Sequence, residues 1–193
     1  MSSIPSPNFF AVSRSAWRTW LKKNFDKRDE IYLIFYKKHT GKPCVSYEDA
    51  VEEAICYGWI DGKLKRVDDE KHVIRFTPRK SKSMWSEANK QRALKMMRDG
   101  KMTEAGRAKI KEAKKNGRWQ TAYKIPKKVS PPKDLKDALA KHSKAKENFE
   151  KWSPSNKYMY VGWVEGAKKP ETRERRIRKV VERAKENKKP GEM

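Results

Sequence analysis

The sequence predicts an α+β protein: a small antiparallel-type three-stranded sheet with flanking helices, followed by an all-helical C-terminal half. Three observations carry that reading. Ile31-Tyr-Leu-Ile-Phe-Tyr36 is apolar on both alternating faces, as a strand covered on both sides must be. Residues 60–66 and 72–78 read as two further strands, with Asp68-Asp-Glu70 at the bend between them. From Ser81 onward the apolar residues recur at helical spacing.

The elements follow in chain order. Ser13 is placed to cap a first helix whose apolar positions are Ala16, Trp17, Trp20 and Leu21. The loop His39-Thr-Gly-Lys-Pro43 ends the strand at 31–36. Ser46 and Asp49 open a second helix in the manner of a capping box, and Val51, Ala54, Ile55, Gly58 and Trp59 form its buried stripe. Pro78 cannot donate to a ladder, so the strand it ends is expected to run out at a sheet edge. Ser83 or Ser86 caps a third helix that ends near Gly100, and Thr103 opens a fourth that ends near Gly117. The segment from Ile125-Pro126 to Pro131-Pro132 reads as a linker. Leu135, Ala138, Leu139, Ala145, Phe149 and Trp152 mark one longer helix, and Ser153-Pro-Ser155 restarts the chain into a helix carrying Tyr158, Val161 and Trp163. The last helix begins near Pro170, and its stripe is Ile177, Val180, Val181 and Ala184. The domains expected are an α+β region with two trailing helices at 9–124, a Pro-containing linker at 125–132 and a helical domain at 133–189.

Composition bounds the partners. The chain has 193 residues, and 49 Lys+Arg against 25 Asp+Glu leave a net charge of +24. Its 7 Trp, 7 Tyr and 6 Phe are too many for a disordered tail. No apolar run approaches the ~18 residues of a membrane span, and no cationic stretch followed by an apolar one marks a secretory signal, so a cytoplasmic location is expected. Cys44 and Cys56 cannot build a disulfide framework, and neither they nor the scattered His39, His72 and His142 have metal-ligand spacing. No metal or other cofactor is expected. The charge is uneven: residues 1–80 carry +5, residues 81–193 carry +19, and 168–189 alone carry +7.

Three segments hold candidate chemistry. In Arg75-Phe-Thr-Pro-Arg79, an extended backbone puts Arg75, Thr77 and Arg79 on one face, with Ser83 and Ser86 at the start of the following helix. Arginine forks match carboxylate and phosphate oxygens, and helix N-termini offer free N–H groups, so this is a candidate anion site. The competing reading is a solvated strand edge blunted by charge and proline. Asp61 is either a partly buried carboxylate paired with Arg75 across the sheet or a turn residue that fixes the junction. Along the last helix, Lys168, Lys169, Arg173, Arg176, Lys179 and Arg183 are candidates to neutralise nucleic-acid phosphates, against the alternative of a solvated face. Trp17, Trp20, Trp59 and Trp163 are assigned to the core, and Trp85, Trp119 and Trp152 to either core or base stacking.

Trp17-x-x-Trp20-Leu21, Tyr32-Leu-Ile-Phe-Tyr-Lys-Lys38, Gly41-Lys-Pro43, Glu53-Ala-Ile-Cys-Tyr-Gly-Trp-Ile-Asp-Gly62, Arg75-Phe-Thr-Pro-Arg79, Ser83-Met-Trp-Ser86-x-x-Asn89 and Ala167-Lys-Lys-Pro-Glu-Thr-Arg173-x-x-Arg176-Ile177 resemble the YdeI/OmpD-associated family, also labelled bacteriocin-protection. The resemblance runs from about residue 9 to residue 185. It implies resistance to bacteriocin-like or cationic peptides and association with an outer-membrane porin, and it supplies no catalytic set. A porin partner requires export, for which no signal is seen, and a protein of charge +24 repels cationic peptides, so an indirect role is expected. Two classes of function remain. One is a non-enzymatic basic module that binds polyanions or nucleic acid in stress or peptide resistance. The other is an enzyme or small-ligand binder built on Asp61, Arg75 and Arg79. The lack of a nucleophile–base pair, metal cluster or glycine-rich phosphate loop weighs against the enzyme.

Overall fold

A computed structural model describes residues 3–190, which divide into two compact units, one ending at Lys124 and the other beginning at Ile125. The first unit holds β1 (Asn8–Phe10), α1 (Arg14–Asn24), β2 (Ile31–Tyr36), α2 (Tyr47–Cys56), β3 (Trp59–Arg66), β4 (Lys71–Pro78), α3 (Glu87–Arg98) and α4 (Glu104–Lys115). Its sheet has four strands in the order β1-β2-β4-β3. The α+β class therefore stands, while the three-stranded antiparallel sheet does not. β1 pairs parallel to β2, Asn8 opposite Tyr32, and three residues are too few to show a strand pattern in sequence. Pro78 is not at an edge either. β4 lies between β2 and β3, and Pro78 is tolerated because it is the strand's last residue, opposite Trp59.

The two apolar faces of β2 meet two different clusters. Ile31, Leu33 and Phe35 join Ile74 and Phe76 of β4 against Trp17 and Leu21 of α1 and Val51, Ala54 and Ile55 of α2. Ile34 packs on the opposite face with Val67 and Val73, beside Phe10, Tyr32 and Tyr36. A strand with only one covered face would have alternated.

Capping is local and follows the sequence. The Ser13 hydroxyl accepts from the Ala16 N–H at 3.2 Å, Ser46 from Asp49 at 3.1 Å, and Ser86 from Asn89 at 3.1 Å. The interior of the first unit is less obvious. Glu52 and Glu53 of α2 are only 2% and 1% exposed, although they sit beside the apolar stripe. Arg14 Nε donates to Glu53 Oε1 at 2.6 Å, Arg18 Nη1 to Glu53 Oε2 at 2.5 Å, and Lys95 Nζ to Glu52 Oε1 at 2.6 Å. These pairs fasten α2 to α1 and α3. The start of α4 is pinned to the end of α2, where the Thr103 hydroxyl donates to the Cys56 carbonyl at 2.5 Å.

Arg92 of α3 grips Glu48 of α2 with Nε and Nη2, each at 2.7 Å. The Arg92 hydrogen bonds hold the Glu48 carboxyl below its ordinary value, with burial opposing. A carboxylate lowered in the fold contributes stability above its unfolded pKa of about 4.3 and loses it as pH falls through the folded value. The urea midpoint is therefore expected to fall as the pH drops below about 4.3, and Arg92→Lys, which keeps the charge but not the fork, is expected to flatten that fall.

The second unit comprises α5 (Lys133–Ala140), α6 (Ser143–Lys151), α7 (Pro154–Glu165) and α8 (Pro170–Lys185). The single longer helix expected from Leu135 to Trp152 is broken at His142, which is extended with φ −138°. The reason is phase. At roughly 100° per residue, a straight helix would turn Leu135 and Leu139 about a quarter-turn away from Ala145, Phe149 and Trp152. The break lets both sets enter one core with Tyr160, Val161 and Val164 of α7 and Ile177, Val180, Val181 and Ala184 of α8.

Candidate anion-binding sites

The segment from Arg75 to Ser86 does not converge on one point. Arg75 stands opposite Tyr32 in the ladder, its side chain is 45% exposed, and its Nε donates to Glu30 Oε2 at 2.6 Å. Asp61 is opposite Phe76, the adjacent residue of β4, and therefore belongs to the other face of the sheet. There its Oδ2 accepts from the Tyr47 hydroxyl at 2.7 Å. Of the two readings of Asp61, the pair with Arg75 is not formed: the contacts are Asp61–Tyr47 and Glu30–Arg75. Thr77 is half-buried opposite Ile60. Ser83 closes a turn, its Oγ accepting from the Lys80 N–H at 3.1 Å, and Ser86 is occupied as the cap of α3.

Arg79 is the exception within this group. It is 3% exposed, beyond the end of β4, with its backbone N–H bonded to the Gly58 carbonyl at 2.9 Å. Its guanidinium carbon lies 3.8 Å from the centroid of the Trp85 ring, and Nη1 donates to the Met84 carbonyl at 3.0 Å. Nε and Nη2 are buried and have no hydrogen-bond partner. Burial pulls the guanidinium pKa down to about 10, opposed by the charges of Asp61 and Tyr123. Tyr47, which the sequence reading passed over, is held above its ordinary value by burial first and then by Asp61. Cys56 is fully buried, and burial pushes its thiol up to about 11, which makes it a poor nucleophile.

The cations of α8 sort into two groups. Arg173 grips Asp134 with Nε at 2.5 Å and Nη2 at 3.0 Å, Arg183 Nε donates to the Tyr160 hydroxyl at 2.6 Å, and Arg176 Nη1 donates to the Trp163 carbonyl at 2.5 Å. These three anchor α8 to α5 and α7. Lys179 pairs with Glu182 at 3.1 Å, and Lys168 and Lys169 are exposed ahead of the helix. Arg175 and Arg178, absent from the sequence candidates, are both exposed, Arg175 opposite the stripe of Ile177, Val180 and Val181 and Arg178 on its flank. Their position on the helical wheel was the available signal.

Trp163 is also not where the sequence placed it. α7 buries Tyr160, Val161 and Val164, and one residue is roughly 100° around a helix, so Trp163 falls off that stripe and is 42% exposed. Trp85, Trp119 and Trp152 are buried instead. With Arg175, Arg178, Lys179 and Glu182, Trp163 lines a surface depression of about 340 Å³, and the Arg176 guanidinium lies 5.3 Å from the ring centroid.

These features define a basic protein of two units, one carrying a buried arginine beside a mixed sheet and the other a cationic helix beside an exposed indole. A family model described as a domain of unknown function (DUF8412) matches residues 9–109, over half of the chain, and the chain belongs to that family. Residues 128–187 match a second model, described as Bacteriocin-protection, YdeI or OmpD-Associated. The YdeI/OmpD-associated resemblance is thus shown for the C-terminal segment, whereas the Gly58–Gly62 and Arg75–Arg79 motifs lie within the first match. No curated protein and no solved structure matches the chain. Among the described residues no helix is long and apolar enough to cross a membrane, and no group of three or more His, Cys, Asp or Glu could hold a metal ion.

Proposed function

We propose that the chain is a non-enzymatic binding module for polyanions, foremost nucleic acid, acting in the cytoplasm, and that the outer face of α8 makes the contact. Any part in stress or peptide resistance is then indirect. The observation that carries this reading is the exposed Trp163 set in a depression with Arg175, Arg178 and Lys179. Guanidinium and ammonium groups neutralise phosphates and release counterions, while an indole face takes an unpaired base whatever its identity. The one carboxylate in the depression, Glu182, is already paired with Lys179. Nothing there is arranged to read a base edge, so binding is sequence-independent, with Kd on the order of 10⁻⁴ to 10⁻⁶ M at physiological salt.

The test is a fluorescence-anisotropy titration of labelled single-stranded and duplex oligonucleotides over a range of salt. The affinity for duplex is expected to fall with the logarithm of salt by roughly 0.9 per phosphate neutralised. Arg175→Glu with Arg178→Glu, neither of which anchors α8, is expected to weaken both complexes at least about tenfold and to reduce the slope. Trp163→Ala is expected to cost about 1–3 kcal/mol on the single strand and little on the duplex. No association at low salt, or association that ignores the charge reversal, rejects the proposal.

A further inference from the structure

We infer that the unpartnered edge of Arg79 is a receptor for the carboxylate of a small ligand, separate from the polyanion face of α8. Nε and Nη2 form the side-on fork of a guanidinium. Two other arginines of this chain show what that edge does when filled: Arg92 holds both oxygens of Glu48 with it, and Arg173 both oxygens of Asp134. In Arg79 the same two nitrogens are buried with no hydrogen-bond partner in the folded chain, while everything else about the group is fixed. Its third nitrogen is held by the Met84 carbonyl and its flat face by Trp85. Buried donors without partners are rare because each one forfeits its hydration, so an arginine held this way is poised for an acceptor that the folded chain does not supply.

The surroundings narrow the ligand. β3 brings Asp61 alongside this end of β4, with Trp59 opposite Pro78 and Asp61 opposite Phe76, so its charge acts on Arg79 and disfavours a phosphate dianion next to the fork. Asp61 spends Oδ2 on the Tyr47 hydroxyl and leaves Oδ1 to accept a further bond. A small monocarboxylate that carries a hydroxyl or ammonium beside its carboxylate satisfies both residues. The fork is shut off from solvent, so the wall around it must open to admit a ligand, and a polymer is excluded.

The experiment is thermal unfolding of the full chain with increasing acetate, glycolate, glycine or inorganic phosphate at constant ionic strength. A saturable rise in Tm is expected with the three carboxylates, larger for glycolate and glycine than for acetate, and absent with phosphate. Arg79→Lys keeps a cation but has no fork, and is expected to weaken the response at least tenfold. Asp61→Asn is expected to remove the advantage of glycolate and glycine, and carries the test should Arg79→Lys not fold. Charge reversal at Arg175 and Arg178 is expected to leave the response intact, so failure here does not bear on nucleic-acid binding. No saturable rise in the wild type, an equal rise with phosphate, or an undiminished rise in Arg79→Lys overturns the inference and leaves Arg79 a structural contact to Trp85 and the Met84 carbonyl.

Discussion

Gly106→Ala is expected to destabilise the first unit by about 3 kcal/mol, at or beyond the upper end of ordinary overpacking. A Cβ at that position would stand 2.4 Å from the Cys56 carbonyl oxygen, 2.4 Å from Met102 Sδ and 2.7 Å from the Ile55 carbonyl oxygen. Met102 can swing aside, but the two carbonyls belong to the last turn of α2, which Thr103 already grips. The sign is informative, since in a free helix the same change gains roughly 0.5–1 kcal/mol from propensity. Hydrogen exchange at the amides of β2 reads the first unit selectively. Unchanged or slower exchange there would mean that α4 can back away from α2 at no cost.

Glu53→Ala is expected to cost nearly as much, about 3 kcal/mol, because it strips the carboxylate shared by Arg14 and Arg18 from a buried position. The two arginines are each about one-third exposed, with side-chain exposures of 29% and 34%, which keeps the loss at the lower end of the range for a broken buried pair. Glu53→Ala combined with Arg18→Ala should cost less than the sum of the two, because the second change removes a cation whose carboxylate the first has already taken away. Strict additivity in urea unfolding would show that the contact between Arg18 and Glu53 contributes nothing of its own.

What could be read from the sequence was whatever is decided within a few residues. Ser13, Ser46 and Ser86 cap their helices because a short hydroxyl side chain reaches N–H groups three residues on. β2 was legible because both its parities are apolar, and each parity has its own cluster. β1 was not, since a three-residue strand exists only by pairing with β2. Glu52 and Glu53 look like solvated charges until Arg14, Arg18 and Lys95 arrive from elsewhere in the chain. At the candidate sites the same limit applied. Alternation placed Arg75 on a face, but only the register of β3 on β4 shows that Asp61 is on the other one. Arg79 was singled out among six residues, yet its burial on Trp85 depends on how the chain turns after Pro78. Trp163 was misplaced because aromatic residues are usually core, and of Tyr158, Val161 and Trp163 only Val161 belongs to the stripe that α7 buries with Tyr160 and Val164.

The membership of the second core has a consequence for synthesis. Ile177, Val180, Val181 and Ala184 of α8 close a cluster otherwise made by α5, α6 and α7. On the ribosome, at roughly 5–20 residues per second, Leu135, Phe149 and Trp152 therefore emerge several seconds before the helix that covers them. The first unit closes earlier in synthesis, its cluster being complete by Trp119 and Ala122. A stalled or nicked chain lacking α8 thus presents a finished N-terminal fold joined to three basic helices with an uncovered apolar face, the kind of surface that chaperones and proteases engage. Completion of the second core thus rests on one segment, Pro170–Lys185, whatever its role in binding.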